Sequence, residues 1–581
     1  MAERSAATDP TDDFGLTLDF GLWTLDCSQL IVESPSGTRT IRVSRQTAAR
    51  DSLAQILRRE GLPLNTRCGL RGLCDGCVIE LISGQLASTH GGRASVQEGD
   101  LPKTIRACEH HLTEPAAVHL RIPERALLAY APHVVADFAL NITQAFDPIV
   151  PVDPDTDALT LGIAIDVGTT TVVVLLVDLR SGDVLAETVD FNRQIHLGDD
   201  VLTRINLCRT DPKHLDELHR AVVDDTIVPL IDQALARASA KRSDVAAVTV
   251  AGNTTMLHLL AGVDPSPMGA VPFTPAFLEH RTIPNLAVDL PRCDLLPGAA
   301  AYVGADLVAG AFASALAYND GPCLLVDVGT NGEIIAKYDH HLLGCATAAG
   351  PAFEGAGLTD GLRAGDGAIS HVKLTADPFT IDSEVIGDDP ATKPVGLCGT
   401  AYVDLLAECR RIGLLSPTGH FDVKAVPGAA AYLDPNVGHS PALRVAVGSG
   451  GRAVHFAETD VAALMQAKAA IAAGILTLLD RLHMTPADVK TLYLAGGFGM
   501  HMNVDSAIAC GLLPRFRRDQ VQLVGNTSLA GAYLTLTDKT VLHELTHIAQ
   551  RMQVIELNLE PTFEDHFIDQ LCLPPPEDPR K

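Results

Sequence analysis

The tetrapeptide Asp-Val-Gly-Thr occurs twice in this chain, each time at the end of an apolar run. The first copy lies in Leu161-Gly-Ile-Ala-Ile-Asp166-Val-Gly168-Thr169-Thr170-Thr171, and the second in Cys323-Leu-Leu-Val-Asp327-Val-Gly329-Thr330-Asn331-Gly332-Glu333. Both read as a strand, a tight turn and a returning strand. Each is followed downstream by an Ala-Gly turn, Val250-Ala251-Gly252-Asn253 in the first half and Leu494-Ala495-Gly496-Gly497 in the second. Ordered pairs repeated in this way mark an internal duplication. The body is therefore expected to be two versions of one α/β unit, the second enlarged by an insertion between about 372 and 460.

The repeated turn suits phosphate and metal chemistry. Glycine lets backbone N–H groups approach phosphate oxygens, a threonine hydroxyl adds a donor, and an aspartate at the strand end holds Mg2+, usually through water. One such turn is a weak signal, because any strand can end in Asp-Gly. Two copies, each with its Ala-Gly partner, predict a nucleoside triphosphate clamped across a cleft.

A second constellation precedes this body: Cys68-Gly-Leu-Arg-Gly-Leu-Cys74-Asp-Gly-Cys77, with Cys108 as a fourth thiol. The spacing is close to the plant-type 2Fe-2S pattern. Gly69, Gly72 and Gly76 fall between the ligands, where the backbone must curl and turn its N–H groups toward sulfur. Chance convergence among 13 cysteines and a structural zinc site are the competing explanations. Zinc sites usually pair two short knuckles, whereas one Cys-x2-Cys here has an outlying cysteine on each side. The expectation is a 2Fe-2S cluster and, with it, electron transfer.

The surrounding segments fit a small domain. Gln29–Glu33 and Thr38–Val43 flank Ser36-Gly37 as a hairpin. Asp51 is read as the cap of a helix carrying Leu53, Ile56 and Leu57 and ending at Gly61. Val78–Ile82 and Ala117–Ile122 are read as strands, and the order over about 27–123 resembles the β-grasp ferredoxin arrangement. Between Pro123 and Asp157, five prolines and little sustained period mark a linker with one short helix near Ala126–Tyr130, on which a redox head would swing.

Acidic residues outnumber basic ones, 71 to 44, for a formal net charge of -27. That excess repels polyanions and argues against nucleic acid or an anionic membrane surface as partner. Residues 1–14 lack the apolar core of a secretory signal, and nearly uncharged stretches such as Val308–Tyr318 are short enough to be buried helices. Free thiols beside an oxygen-sensitive cluster fit a reducing cytoplasm without disulfides. Cys345, Cys398, Cys409 and Cys510 read as small buried hydrophobes, with Cys398 and Cys409 a weak pair for a second cluster. His543-Glu544-Leu-Thr-His547 matches the zinc-protease signature. Val541, Leu545, Ile548, Ala549 and Met552 form the apolar stripe of that helix, so a solvated face is the better reading. Whether the three polar residues bind any metal is left open.

The duplicated turns with the late glycine turn resemble the superfamily of acetate kinases, sugar kinases, heat-shock chaperones and actin, whose two ribonuclease-H-like halves close around ATP. A narrower likeness adds further motifs to the cysteine pattern and both turns. These are Gly198-Asp-Asp-Val201, Gly252-Asn-Thr-Thr-Met256, Val303-Gly-Ala-Asp306, Ala349-Gly-Pro-Ala-Phe-Glu-Gly355, Cys398-Gly399, Ala495-Gly-Gly-Phe-Gly499 and Gly525-Asn526. Together they are similar to the reductive activators of corrinoid enzymes, over about residues 27–570.

That resemblance implies a multidomain α/β chain: a tail (1–26), a 2Fe-2S β-grasp domain (27–123), a linker (124–158), a middle region forming the first ATPase lobe (159–320), a C-terminal ATPase lobe (321–574) and a final tail (575–581). It implies Cys68, Cys74, Cys77 and Cys108 as cluster ligands, and Asp166 and Asp327 as the catalytic, Mg2+-binding pair. Gly168, Thr169 and Thr170 would form the first phosphate turn, Gly329, Thr330 and Asn331 the second, and Gly496, Gly497 and Gly499 would pass close to the adenosine. One of the aspartates or Glu333 would orient the attacking water, while Glu354 is left outside the site. The implied activity is one-electron reduction of a Co(II) corrinoid to Co(I), coupled to ATP hydrolysis. Ferredoxin-type clusters lie near -400 mV and free cobalamin Co(II) is harder still to reduce. Each 59 mV of deficit costs a factor of ten, so coupling to ATP or altered cobalt ligation must offset it. The implied partners are the corrinoid protein of a methyltransferase system and an upstream electron donor; a homodimer is left open.

The chain departs from the family at Cys398-Gly-Thr-Ala401, commonly Cys-Gly-Ser-Gly, and at Asn192-Arg-Gln194, commonly Asn-Pro-Gln. Neither stretch is expected to touch the phosphate turns. Two rivals remain: an ATP-coupled donor to a non-corrinoid acceptor such as a dehydratase, and a nucleotide-dependent redox-sensing module.

Overall fold

The structure, a computed structural model, describes residues 27–35, 37–62, 64, 70, 77–97, 99–113, 117–123, 126, 138, 146–152, 159–329, 331–387, 389 and 391–576. Most of the expected linker, including all of its proposed short helix except Ala126, lies outside them, as do Cys68, Cys74 and Thr330. The chain divides into two compact units, one of Met1–Pro63 with Val78–Ala126, the other of Leu64–Cys77 with Leu127–Lys581.

The smaller unit is a seven-stranded sheet in the order Gly37–Ser44, Cys27–Ser34, Ala117–Arg121, Val78–Ser88, Arg93–Val96, with Lys103–Arg106 and His110–Leu112 also paired to Val78–Ser88. The first two strands form the expected hairpin, antiparallel from Cys27 opposite Ser44 to Ser34 opposite Gly37. The helix that follows, Leu53–Arg59, is capped by Ser52 rather than by Asp51. Ser52 and Gln55 satisfy each other's backbone N–H reciprocally, the arrangement that stabilises a helix start. Asp51 instead ends a short preceding helix, Arg45–Arg50, and pairs with Arg59 at 2.5 Å.

The larger unit contains two six-stranded sheets that repeat one plan. The first runs Val184–Phe191, Thr171–Asp178, Leu161–Val167, Val245–Gly252, Cys293–Leu295, Arg281–Ile283; the second runs His341–Thr347, Gly332–Tyr338, Cys323–Val328, Thr491–Ala495, Val521–Gly525, with Gln553–Val554 added beyond His341–Thr347. In each, an antiparallel meander continues into a parallel strand. The central strands are almost continuously apolar and buried, as strands covered on both faces must be.

Two helices, Ala305–Ala313 and Thr527–Thr537, are buried along nearly their whole length. They approach closely because small residues meet: a methyl group added to Gly531 would lie 2.3 Å from Ala309 Cβ. The insertion in the second half carries two three-stranded sheets and the helix Gly399–Arg411. It shares a core with the 24-residue helix Glu458–Arg481.

Candidate functional site

The repeated plan brings both Asp-Val-Gly-Thr turns to one place. Asp166 stands opposite Ala251 across its parallel neighbour, and Asp327 stands opposite Ala495 across the corresponding one. Both carboxylates open on a single cavity of about 610 Å³, also lined by Gly168, Thr169, Thr170, Gly329, Asn331, Gly496 and Gly497. In the first turn the Gly168 N–H donates to Thr171 O, three residues on, at 2.9 Å; in the second the Gly329 N–H donates to Asn331 O, two residues on, at 3.0 Å. Gly496 has a φ of +83°, and a Cβ there would lie 2.4 Å from Asp327 Oδ1. Only glycine fits that approach. Gly499 differs from its expected placement. It is buried in the helix Gly496–His501, where a Cβ would press on Leu494 Cγ at 3.2 Å, and it does not line the cavity.

Six carboxylates line this cavity, Asp166, Asp306, Asp327, Glu333, Glu354 and Glu384, and the first four interact through their charges. Burial and then the negative charges of Asp306 and Asp166 push Asp327 up to about 7. Asp306 is likewise pushed up, by burial and then by Asp166. Glu333 is raised well above the carboxylate range by burial and then by Asp306 and Asp327. Asp166 is raised by burial, but Ser528 Oγ at 2.7 Å and Asn526 Nδ2 at 2.9 Å donate to it and oppose the shift. No lysine lines the cavity among the described residues. Buried carboxylates that repel one another form a site that a divalent cation would fit, since it would supply the missing positive charge.

Glu333 has a signal in the sequence once the halves are superposed. It stands opposite Asp327, where the first half has Val173 opposite Asp166. Asp306 sits in a quoted motif but carried no assigned role; it enters from the first turn of the helix Ala305–Ala313.

A second layer holds the first turn. Fully buried Arg204 donates to Thr169 O at 2.6 Å, Gly198 O at 2.8 Å and Gln194 Oε1 at 2.9 Å. Asn253 Nδ2 donates to Thr169 Oγ1 at 3.0 Å, and Asn192 Nδ2 to Gly168 O at 2.9 Å. The last contact corrects the expectation for Asn192-Arg-Gln194, since its first residue touches the phosphate turn while Arg193, the departing residue, pairs with Asp190 at 2.5 Å. The other departure is also relocated: Cys398, Gly399 and Thr400 line the same cavity.

Of the thiols, Cys77 and Cys108 are described, and both are buried. Val78 pairs with Arg106 in an antiparallel ladder; Cys77 immediately precedes the first of these strands and Cys108 follows the second by two residues. Among the described residues no three His, Cys, Asp or Glu side chains are grouped to hold a metal. Cys398 opens the helix in which Cys409 lies. Eleven residues of helix separate them by about 16 Å, too far to share a cluster. Burial raises the thiols of both, as expected of small hydrophobes. In the His543/His547 helix both histidines are exposed, and Glu544 accepts a hydrogen bond from Tyr318 at 2.8 Å.

Comparison with known proteins adds the family context. The family model described as "RACo middle region" matches residues 161–319, and that described as "C-terminal domain of RACo the ASKHA domain" matches residues 321–579. A corrinoid activation enzyme, RamQ, of Eubacterium limosum is 27% identical, covering 91% of this chain and 96% of its own. A [Co(II) methylated amine-specific corrinoid protein] reductase of Methanosarcina barkeri is 24% identical, covering 71% of this chain and 76% of its own. A solved structure of a reductive activator for corrinoid, iron-sulfur protein superposes with a TM-score of 0.67 at 27% identity, covering 94% of this chain and 98% of that one.

Proposed function

Since the chain belongs to the reductive activators of corrinoid enzymes, we propose that it returns the Co(II) corrinoid of a methyltransferase system to Co(I), passing one electron from a 2Fe-2S cluster in a step coupled to ATP hydrolysis. One observation carries the nucleotide half of this reading. Asp166 and Asp327 occupy the same register in two repeated sheets and face one cavity.

In this reading the chain's own groups divide the work. The turns at Gly168–Thr170 and Gly329–Asn331 bind the phosphates through backbone N–H groups and hydroxyls. Gly496 and Gly497 leave room for the adenosine side of the nucleotide. Asp166, Asp306, Asp327 and Glu333 would hold a Mg2+ ion through its water shell, and the ion would neutralise the phosphate charge when bound. Arg204, Asn192 and Asn253 keep the first turn in shape.

Cys68, Cys74, Cys77 and Cys108 are the proposed cluster ligands. Two of them, Cys77 and Cys108, are buried, as thiols that hold a cluster away from water would be. A 2Fe-2S centre held there supplies low-potential one-electron transfer. The ferredoxin-type identity of the N-terminal sheet, an upstream electron donor and a cytoplasmic setting belong to the same proposal.

The test is an anaerobic optical titration of the full chain with reductant, Mg2+, ATP and a Co(II) corrinoid protein. Growth of the Co(I) band only when ATP is present is the expected result. Co(I) formation at the same rate and extent without nucleotide would remove ATP coupling from the reading. A reduced cluster that leaves Co(II) corrinoid proteins from several methyl-transfer systems unchanged would point to another acceptor.

A further inference from the structure

Besides the four carboxylates that would hold a cation, the cavity wall carries Glu354 and Glu384. Glu354 accepts a 2.7 Å hydrogen bond from the hydroxyl of Thr170, on the first phosphate turn. Its Oε2 lies 4.0 Å from Nε of Arg363, which also lines the cavity. Arg363 is fixed from behind: Nη2 donates to Asp199 Oδ1 at 3.0 Å, and the guanidinium lies 5.5 Å from the Phe191 ring centre. Its Nε and Nη1 are shielded from solvent and meet no acceptor among the described residues.

A shielded guanidinium N–H without an acceptor is costly, so Arg363 is held short of a hydrogen bond that it does not make. The Thr170 hydroxyl engages the carboxylate instead. A phosphate arriving at the turn competes for that hydroxyl, and Glu354, released from it, can close on Arg363 Nε while its second oxygen faces the terminal phosphate. Asp199 and Thr170 come from the first half of the body and Arg363 and Glu354 from the second, so the rearrangement occurs across the cleft.

We propose that Glu354 orients the attacking water and accepts its proton in ATP hydrolysis, with Arg363 as its positioning residue; this rests on the reading of the cavity as an ATP site. The water oxygen bonds to the terminal phosphorus as the bond from that phosphorus to the bridging oxygen of ADP breaks. The proton passes to a Glu354 oxygen and from there to solvent, and ADP and inorganic phosphate leave. The role falls to Glu354 because the clustered carboxylates would be committed to the cation and, of the other two on the wall, Glu354 rather than Glu384 is hydrogen-bonded to a phosphate-turn hydroxyl. General-base assistance of this kind is worth about 10²–10⁴-fold in rate.

The experiment compares full-length wild type, Glu354→Gln and Glu354→Ala by binding of a fluorescent ATP analogue and by single-turnover hydrolysis. Glutamine keeps the shape and an acceptor for Thr170 but cannot take the proton. Binding within about threefold of wild type with hydrolysis slowed at least about 100-fold, and partial rescue of Glu354→Ala by added formate, is expected. A Glu354→Gln protein that hydrolyses within threefold of wild type overturns the proposal. So does one whose binding and hydrolysis fall in parallel with no rescue by formate, which would make Glu354 a cleft strut. Wild type that binds no ATP overturns the nucleotide reading itself, and this assignment with it.

Discussion

Gly496→Ala tests whether the second aspartate must stand where the fold puts it. The new methyl would lie 2.4 Å from Asp327 Oδ1, whereas ordinary contact begins at 3.4 Å, so the carboxylate must withdraw by about 1 Å. A magnesium site demands near-ideal octahedral geometry at about 2.0–2.1 Å and does not follow such a shift. Misplacement by about 1 Å commonly costs on the order of 100-fold in rate. The left-handed φ of +83° adds about 1–2 kcal/mol of backbone penalty for alanine, or a melting-temperature loss of about 1–2 °C in a unit of this size. Gly438→Ala separates the two effects, because Gly438 also has a positive φ, +60°, but nothing within 4 Å of its Cβ position. Mg2+-dependent ATP hydrolysis and thermal unfolding would be measured on both variants. The expected result is comparable destabilisation in the two, with turnover lost only in Gly496→Ala. Turnover within threefold of wild type in Gly496→Ala would refute the placement of the cation beside Asp327.

Three further outcomes follow from the same geometry. Asp327 titrates near 7 when folded and near 3.9 when unfolded, so the folded state holds the extra proton between those values. Its contribution to nucleotide-free stability is full below about 4 and is lost as pH rises to about 7; Mg2+ should therefore raise the melting temperature more at pH 8 than at pH 6. Asp327→Asn should weaken that pH dependence, and an unchanged slope would show that the cluster does not act through this carboxylate. Cys74→Ser should lose cobalt reduction but keep ATP binding, and Cys77→Ser should change the visible and electron paramagnetic spectra of the cluster; a Cys74→Ser protein that still forms Co(I) rules out the ligand assignment. His543→Ala should leave both ATP hydrolysis and metal content unchanged, whereas stoichiometric zinc lost in this variant would restore the metal reading of that helix.

The features legible in the sequence are those whose cause is local. A strand, a glycine turn and a returning strand are written in consecutive residues, and their repetition announces the paired sheets before any coordinates exist. The Ser52 cap was missed by one position because Asp51 and Ser52 are both good cap residues and only the reciprocal bond to Gln55 decides between them. Glu354 and Arg363 were not assigned because their meaning is long-range. Thr170 and Glu354 are separated by 184 positions, and Asp199 and Arg363 by 164. Asp306 was hidden differently, as a lone acidic residue in the first turn of an apolar helix, where a favourable helix dipole is explanation enough. Its role emerges only when the repeated sheets place that turn beside Asp166 and Asp327.

The two halves repeat their backbone more faithfully than their chemistry, and the difference bears on which side would hold a cation. Asp166 is held by two donors, Asn526 and Ser528, at the start of the helix Thr527–Thr537, which packs back on the first sheet. Asp327 accepts no hydrogen bond among the described residues, and the charges named around it are all negative. Where the first half places Val173, the second adds the carboxylate of Glu333. Burying a carboxylate without a donor or a countercharge is unfavourable, so the charged form of Asp327 would be stabilised by a cation in the cavity. The first turn keeps its aspartate ordered by hydrogen bonds alone. Duplication thus supplies two equivalent positions, and unequal partners make one a fixed wall and the other the side whose charge depends on what is bound.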